Sequence, residues 1–289
     1  MSGEHSAGGA RLLGPAEIRD LADLLGVTPT KKLGQNFVID ANTVRRIVKT
    51  AGVQAGEQVV EIGPGLGSLT LGLTEAGASV IAVEIDGRLA EQLPKTVSLM
   101  QPDAALEVVH QDALRILELP GAPVRLVANL PYNISVPVLL HFLEHFPSIH
   151  AGIVMVQAEV GFRIAALPGS KVYGSPSVKA AWYGDWRTAG TVSRQVFWPV
   201  PNVDSVLVGF ERRTDAIGTE AERLATFALV DGAFQQRRKM LRQSLSGVLG
   251  DSATASAAME AAGVKPTARG EELTVHDFLA IARASHLTD

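Results

Sequence analysis

The chain has 289 residues, of which 46% are hydrophobic and 19% charged, with a formal net charge of −4 and no cysteine. This is the composition of a globular protein with room for one large and one smaller domain, and it excludes disulfides, thiol catalysis and thiolate metal sites. There is no run of about 18 apolar residues, and the N-terminal MSGEHSAGGA lacks the basic-then-apolar pattern of a secretory leader, so a cytoplasmic protein without a membrane partner is expected, and its acidic balance confines any nucleic-acid binding to local patches.

Residues 1–10 are small, polar and glycine-rich, a composition that predicts disorder. From Pro15 to Leu25 the sequence places Ile18, Leu21, Leu24 and Leu25 on one helical face, with proline at the start and Gly26 just past the end, which predicts a helix. A second helix is predicted over 41–50. A regular alternation follows: strands are predicted at 58–63, 79–86, 106–112, 124–129 and 153–157, with helix-compatible stretches between them, and further strands near 180–193 and at 204–211. Short β-branched runs alternating with helices predict an α/β fold, a mostly parallel sheet covered on both faces. Beyond Arg213 only helical patterns remain. The expected organisation is an N-terminal tail and helix over 1–30, a sheet domain over 31–213 and a small all-helical domain over 214–289.

VVEIGPGLGSLT sets Gly63 and Gly65 at the carboxyl end of the first major strand, the ligand-binding edge of a doubly wound sheet. The G-x-G-x-G spacing differs from the dinucleotide pattern and turns the reading away from NAD. About twenty residues on, Glu84 ends the next strand, where a carboxylate accepts hydrogen bonds from ribose hydroxyls. Asp112 ends the third strand, placed either to accept from an adenine amine or to N-cap a helix beginning at ALRIL. Asn129 ends the fourth and opens Asn129-Leu130-Pro131-Tyr132. The exocyclic amine of adenine is a poor nucleophile because its lone pair is delocalised into the ring. The amide oxygen of Asn129 and the carbonyl of Leu130 can each accept one N–H and favour a pyramidal nitrogen, Pro131 stiffens the turn, and Tyr132 offers its ring for stacking. The matching electrophile is a sulfonium methyl.

The motifs KKLGQNF, VVEIGPGLGSLT, AVEID, QDA, NLPYNIS, VQAEVGFRIAA, VYGSPSV, FWPVPNVDSVLV and QQRRKMLRQSL occur in an order that resembles the KsgA-type small-subunit ribosomal RNA adenine dimethyltransferases, from residue 31 to about 245. The resemblance implies a Rossmann-like S-adenosylmethionine-dependent methyltransferase sheet with a small helical C-terminal domain. It further implies N6,N6-dimethylation of two adjacent adenines in the 3′-terminal hairpin of 16S rRNA in the immature 30S subunit, by a monomer without metal. By the same resemblance, Asn36 and Val38 join Gly63, Gly65, Glu84, Asp112 and Asn129 at the cofactor, and Phe197 sandwiches the base against Tyr132. Arg237, Arg238, Lys239 and Arg242 are expected to touch RNA phosphates from a basic helical turn. Pro176 departs from the family's usual leucine in the YGxLSV stretch and leaves the shape of that segment open. His141-Phe-Leu-Glu144-His145 matches a zinc-peptidase pattern, but lies on a helix whose apolar side is formed by neighbouring residues, so no metal is expected. The competing readings are a nicotinamide-dependent oxidoreductase, a non-catalytic assembly factor, and a 23S rRNA methyltransferase of the macrolide-resistance type.

Overall fold

The computed structural model describes residues 11–27, 36–285 and Leu287. The tail over 1–10 and residues 31–35 of KKLGQNF lie outside the described residues. By packing, the chain divides into two units, the first running to Gly161 and including Thr188–Phe210, the second comprising Phe162–Arg187 and the chain from Glu211 onward.

In the first unit, helix α1 (Pro15–Leu24) precedes a two-residue strand β1 (Phe37–Val38) and helix α2 (Ala41–Ala51). Asp40 caps α2 by accepting from the Thr43 amide at 2.7 Å. The alternation then runs β2 (Gln58–Ile62), α3 (Ser68–Glu75), β3 (Ser79–Glu84), α4 (Gly87–Met100), β4 (Leu106–His110), β5 (Arg125–Asn129), α5 (Ser135–His145), β6 (Ala151–Gln157) and α6 (Ala158–Ile164). Val80, Ile81, Ala82 and Val83 of β3 are all buried, the continuous apolar run of a strand covered on both faces. α3 is buried on every side, with Leu69, Leu71 and Leu73 in the core.

After α7 (Ser175–Tyr183) come β7 (Gly184–Val192), the two-residue β8 (Phe197–Trp198) and β9 (Ser205–Arg212). The seven-stranded sheet has the order β4-β3-β2-β5-β6-β9-β7. β2 pairs in parallel with both β3 and β5, so the chain winds outward from β2 to β4 and then restarts on the other side of β2. The gap between β2 and β5 is therefore the topological switch point, where an open sheet leaves a crevice beyond its carboxyl ends. Because these strands run parallel, Ile62, Glu84, His110 and Asn129 all end at that edge. β1 and β8 form a separate antiparallel pair with Val38 opposite Phe197. Two-residue strands carry no periodicity, and neither was predicted.

The second unit holds α7 with α8 (Glu220–Gln235), α9 (Leu241–Ser244), α10 (Ser246–Leu249), α11 (Ser252–Ala261) and α12 (Val275–Ala284). Residues 162–187 thus group with the C-terminal helices, whereas the sequence placed them inside the 31–213 domain. The Tyr173 hydroxyl donates to the Leu273 carbonyl at 2.8 Å, and Lys179 pairs with Asp231 at 2.7 Å. Such pairings between distant segments have no local sequence signal. Thr219 and Glu222 form a reciprocal capping box at the start of α8. Arg283 of α12 reaches Glu222 at 2.6 Å, and this hydrogen bond holds the Glu222 carboxyl down at about 2. Pro176 occupies the first turn of α7, where its missing N–H costs no intrahelical bond, so the departure at this position is compatible with a regular helix start.

Candidate active site

A cavity opens at the switch point, and Asn36, Val38, Gly63, Gly65, Glu84, Asp112, Asn129 and Pro131 all line it. The sequence-predicted cofactor residues therefore converge on one place. Leu130, Tyr132 and Phe197 are not among its lining residues.

Gly65 shows why the turn after β2 needs glycine. Its φ is +58°, and a Cβ there would stand 2.8 Å from the Phe37 ring, so any side chain would both strain the backbone and collide. The turn also uses Glu84. One carboxylate oxygen accepts from the Gly65 amide at 3.1 Å, while the other accepts from the amides of Ile85 at 2.9 Å and Asp86 at 3.0 Å. Burial pushes the Glu84 carboxyl up from its ordinary value, and these N–H groups oppose the shift. Glu84 thus orders the glycine turn as well as presenting acceptor oxygens to the cavity.

Asp112 stands in a local turn at the cavity wall. Its carboxylate accepts from the Leu114 amide at 2.9 Å, a local turn bond, and it also lines the cavity. The segment after it forms a turn and not the expected helix. Asn129 donates through Nδ2 to the Asn36 carbonyl at 3.0 Å. That bond orients the amide and leaves Oδ1 as its accepting end. Leu130 is buried, and its amide donates to the Met155 carbonyl at 3.1 Å, which anchors the turn to β6.

Tyr132 is half-buried, with its hydroxyl 2.8 Å from the Ser205 hydroxyl and its phenol shifted upward by burial. Phe197 corrects the sequence reading. The ring is only 1% exposed and belongs to the hydrophobic core, because the β1–β8 pairing sets it opposite Val38, so it offers no open face for a base.

Glu61 and Ser68 are among the lining residues that escaped the sequence reading. Glu61, the acid in VVEIG, is fully buried, accepts from the Thr70 hydroxyl at 2.6 Å, and is pushed up to about 8 by burial. The only available signal was a carboxylate inside an apolar strand. Ser68 is 8% exposed, and its buried Oγ has no hydrogen-bond partner among the described residues. An orphaned hydroxyl in a cavity wall calls for a polar ligand group.

Among the described residues the cavity wall holds the carboxyl groups of Glu61, Glu84 and Asp112 but no Lys, Arg or His. A dinucleotide pyrophosphate would meet the Glu84 and Asp112 carboxylates there, Glu61 being held protonated by burial, whereas a sulfonium nucleoside with an ammonium group meets the complementary sign. The glycine cradle, the orphaned Ser68 hydroxyl and the acidic wall fit S-adenosylmethionine.

The basic segment is rearranged relative to expectation. α8 ends at Gln235 and the chain turns over residues 236–240, so Arg237, Arg238 and Lys239 sit outside a helix, while Arg242 lies on the short helix α9. Arg237 donates to Glu271 at 2.7 Å and to the Lys171 carbonyl at 2.7 Å, bonds within the protein that compete with its expected role as a phosphate ligand. Arg238 and Lys239 are exposed and Arg242 is half-buried. In the His141–His145 segment, His141 bonds the Ile116 carbonyl at 2.7 Å and its ring lies tilted against that of His145 at 4.4 Å between centroids; among the described residues no group of three or more potential ligands is gathered for a metal.

A parallel sheet with an acidic, glycine-cradled cavity at its switch point, entered by an Asn-Leu-Pro-Tyr turn, defines the class of nucleoside-cofactor methyltransferases. Within that class the chain belongs to the ribosomal RNA adenine dimethylase family, whose model matches residues 27–286. It is 74% identical over 274 residues to the ribosomal RNA small subunit methyltransferase A of Leifsonia xyli subsp. xyli, covering 94% of this chain and 98% of that relative. It is 62% identical over 274 residues to the protein of the same name from Streptomyces griseus subsp. griseus, covering 94% of each. Among solved structures, the 23S rRNA methyltransferase ErmE is similar with a TM-score of 0.64 and 28% identity, over 86% of this chain and 99% of that one. A dimethyladenosine transferase from Plasmodium falciparum shares the fold with a TM-score of 0.71 at 23% identity, over 84% of this chain and 94% of that one.

Proposed function

We propose that this enzyme transfers methyl groups from S-adenosylmethionine to the N6 amines of two adjacent adenines in the 3′-terminal hairpin of 16S rRNA, acting on the immature 30S subunit. The observation that carries the reading is the Asn129 amide, held by the Asn36 carbonyl at the rim of an acidic cavity so that its oxygen end can accept. The 74% identity to a small-subunit methyltransferase, against 28% to a 23S enzyme, supports the small-subunit substrate.

The cofactor supplies, when bound, a methyl group on a positively charged sulfur. Gly63, Gly65 and Ser68 would hold its amino-acid end, Glu84 its ribose and Asp112 its adenine, with Glu61 behind them. Asn129 Oδ1 and the Leu130 carbonyl each accept an N–H of the target amine, which concentrates the lone pair on nitrogen. Pro131 limits the freedom of the turn, and Tyr132 presents a ring for the extruded base, a contact worth about 1–3 kcal/mol. The work is positioning and electrostatics, and it needs no general base tuned near neutrality. Arg238, Lys239 and Arg242 supply phosphate contacts. We place the enzyme in the cytoplasm with its ribosomal substrate; among the described residues no helix is long and apolar enough to cross a membrane.

The test is methyl transfer from labelled S-adenosylmethionine to unmodified small subunits and, in parallel, to 23S rRNA. Label recovered as N6,N6-dimethyladenine from the small subunit alone is the expected result. Label in 23S rRNA alone would overturn the substrate, and no transfer to either would return the protein to the assembly-factor reading.

A further inference from the structure

Stacking needs only the ring of Tyr132, so its hydroxyl has no role in the chemistry described above. The structure nevertheless engages that hydroxyl. It lies 2.8 Å from the hydroxyl of Ser205, the first residue of β9, whose side chain is fully buried. The two residues are 73 positions apart in the chain. A phenol held at its far end has its ring fixed at two points, Cβ and oxygen, while an untethered ring on a turn samples several rotamers. Ser205 is itself fixed. The preceding Asp204 accepts through its carbonyl from the Ala158 amide at 3.0 Å and through its carboxylate from the Arg194 amide at 2.9 Å.

We propose that Ser205 is a positioning residue for methyl transfer: its buried hydroxyl holds Tyr132 by the phenol and thereby sets the ring on which the target adenine stacks. This rests on the reading of Tyr132 as the base platform. A base stacked on a pre-set ring keeps its amine in line with Asn129, whereas a ring free to tilt spreads the amine over unproductive positions, and small misplacements are costly in the chemical step. Loss of the tether therefore lowers the rate of transfer and leaves cofactor affinity unchanged, because neither Tyr132 nor Ser205 lines the cofactor cavity.

The experiment measures single-turnover methyl transfer to unmodified small subunits at saturating cofactor for Ser205→Ala, Tyr132→Phe, the double variant and Tyr132→Ala, with thermal unfolding and calorimetric cofactor binding alongside. Each conservative variant should slow the chemical step about 3- to 10-fold, the scale of one lost neutral hydrogen bond. The double variant should fall within about twofold of the slower single one, because both remove the same contact. Independent losses that multiply to about 10- to 100-fold would make Ser205 a general packing residue and overturn the proposal. If Ser205→Ala fails to fold, Tyr132→Phe decides alone, and a rate within about twofold of the parent overturns the tether on the scale set for a lost hydrogen bond. Tyr132→Ala separates the two levels: if it keeps parental activity, the platform reading itself fails, and if it is inactive while the conservative variants are silent, only the tether fails.

Discussion

The cofactor cavity and the basic turn after α8 were both read from runs of suggestive residues, and they came out differently. Gly63, Gly65, Glu84, Asp112 and Asn129 all line one cavity. Of the basic cluster, Arg237 is tied to Glu271 and the Lys171 carbonyl, while Arg238 and Lys239 remain exposed. The difference lies in what determines direction. Parallel strands deliver their last residues to a common edge, so a strand-end position is already a spatial coordinate. A run of Arg and Lys carries no such coordinate, since each side chain can turn to solvent or to an acid on another segment.

The largest expected effect that could break this contrast is at Asn129. Asn129→Ala should slow single-turnover methyl transfer about 100-fold or more, comparable to loss of an oxyanion-hole donor, with RNA affinity nearly unchanged. A variant of near-parental rate would mean that convergence on the cavity does not identify the catalytic group.

Glu84 comes next. Glu84→Ala removes acceptors for ribose and also frees the amides of Gly65, Ile85 and Asp86, so cofactor binding should weaken by about 1–3 kcal/mol by calorimetry. An unchanged dissociation constant would remove Glu84 from the site.

Glu61 sharpens the comparison through pH. Its carboxyl is raised from 4.5 to about 8 in the folded protein, so the native state holds a proton that the unfolded chain has released. Its contribution to stability is fully present below pH 4.5 and is lost as pH rises towards 8. Unfolding measured without cofactor should therefore show the parent losing on the order of 2 kcal/mol more than Glu61→Gln between pH 5 and 8. Parallel pH profiles for the two proteins would show that Glu61 is not protonated in the fold.

The smallest effects belong to the basic turn. Replacing Arg238 and Lys239 by Gln should reduce the slope of log K for RNA against log salt by about two contacts' worth, whereas Arg237→Gln should leave the slope alone and cost about 0–1 kcal/mol of stability. A reduced slope for Arg237→Gln would place its guanidinium on RNA after all.

Much of the first unit was legible because burial writes a period into the sequence. The apolar runs of β2, β3, β5 and β6 and the amphipathic pattern of α2 follow directly from which faces meet the core. The glycine turn, with positive φ at Gly63, Gly65 and Gly67, was equally readable from residue type. Pairing between distant segments was not. Asn36 orients Asn129 across 93 positions, and Tyr132 meets Ser205 across 73. Phe197 looked like an open aromatic until the β1–β8 bridge turned it into the core. Residue types and periodicities determined by themselves that this chain would build a parallel sheet with a nucleoside site at its carboxyl edge. Only the tertiary structure decided which hydroxyl holds Tyr132, which carboxyl is buried with its proton, and which arginine is already occupied, because a hydrogen-bond partner is chosen by how distant segments close on each other, and that closure leaves no repeating mark in the local sequence.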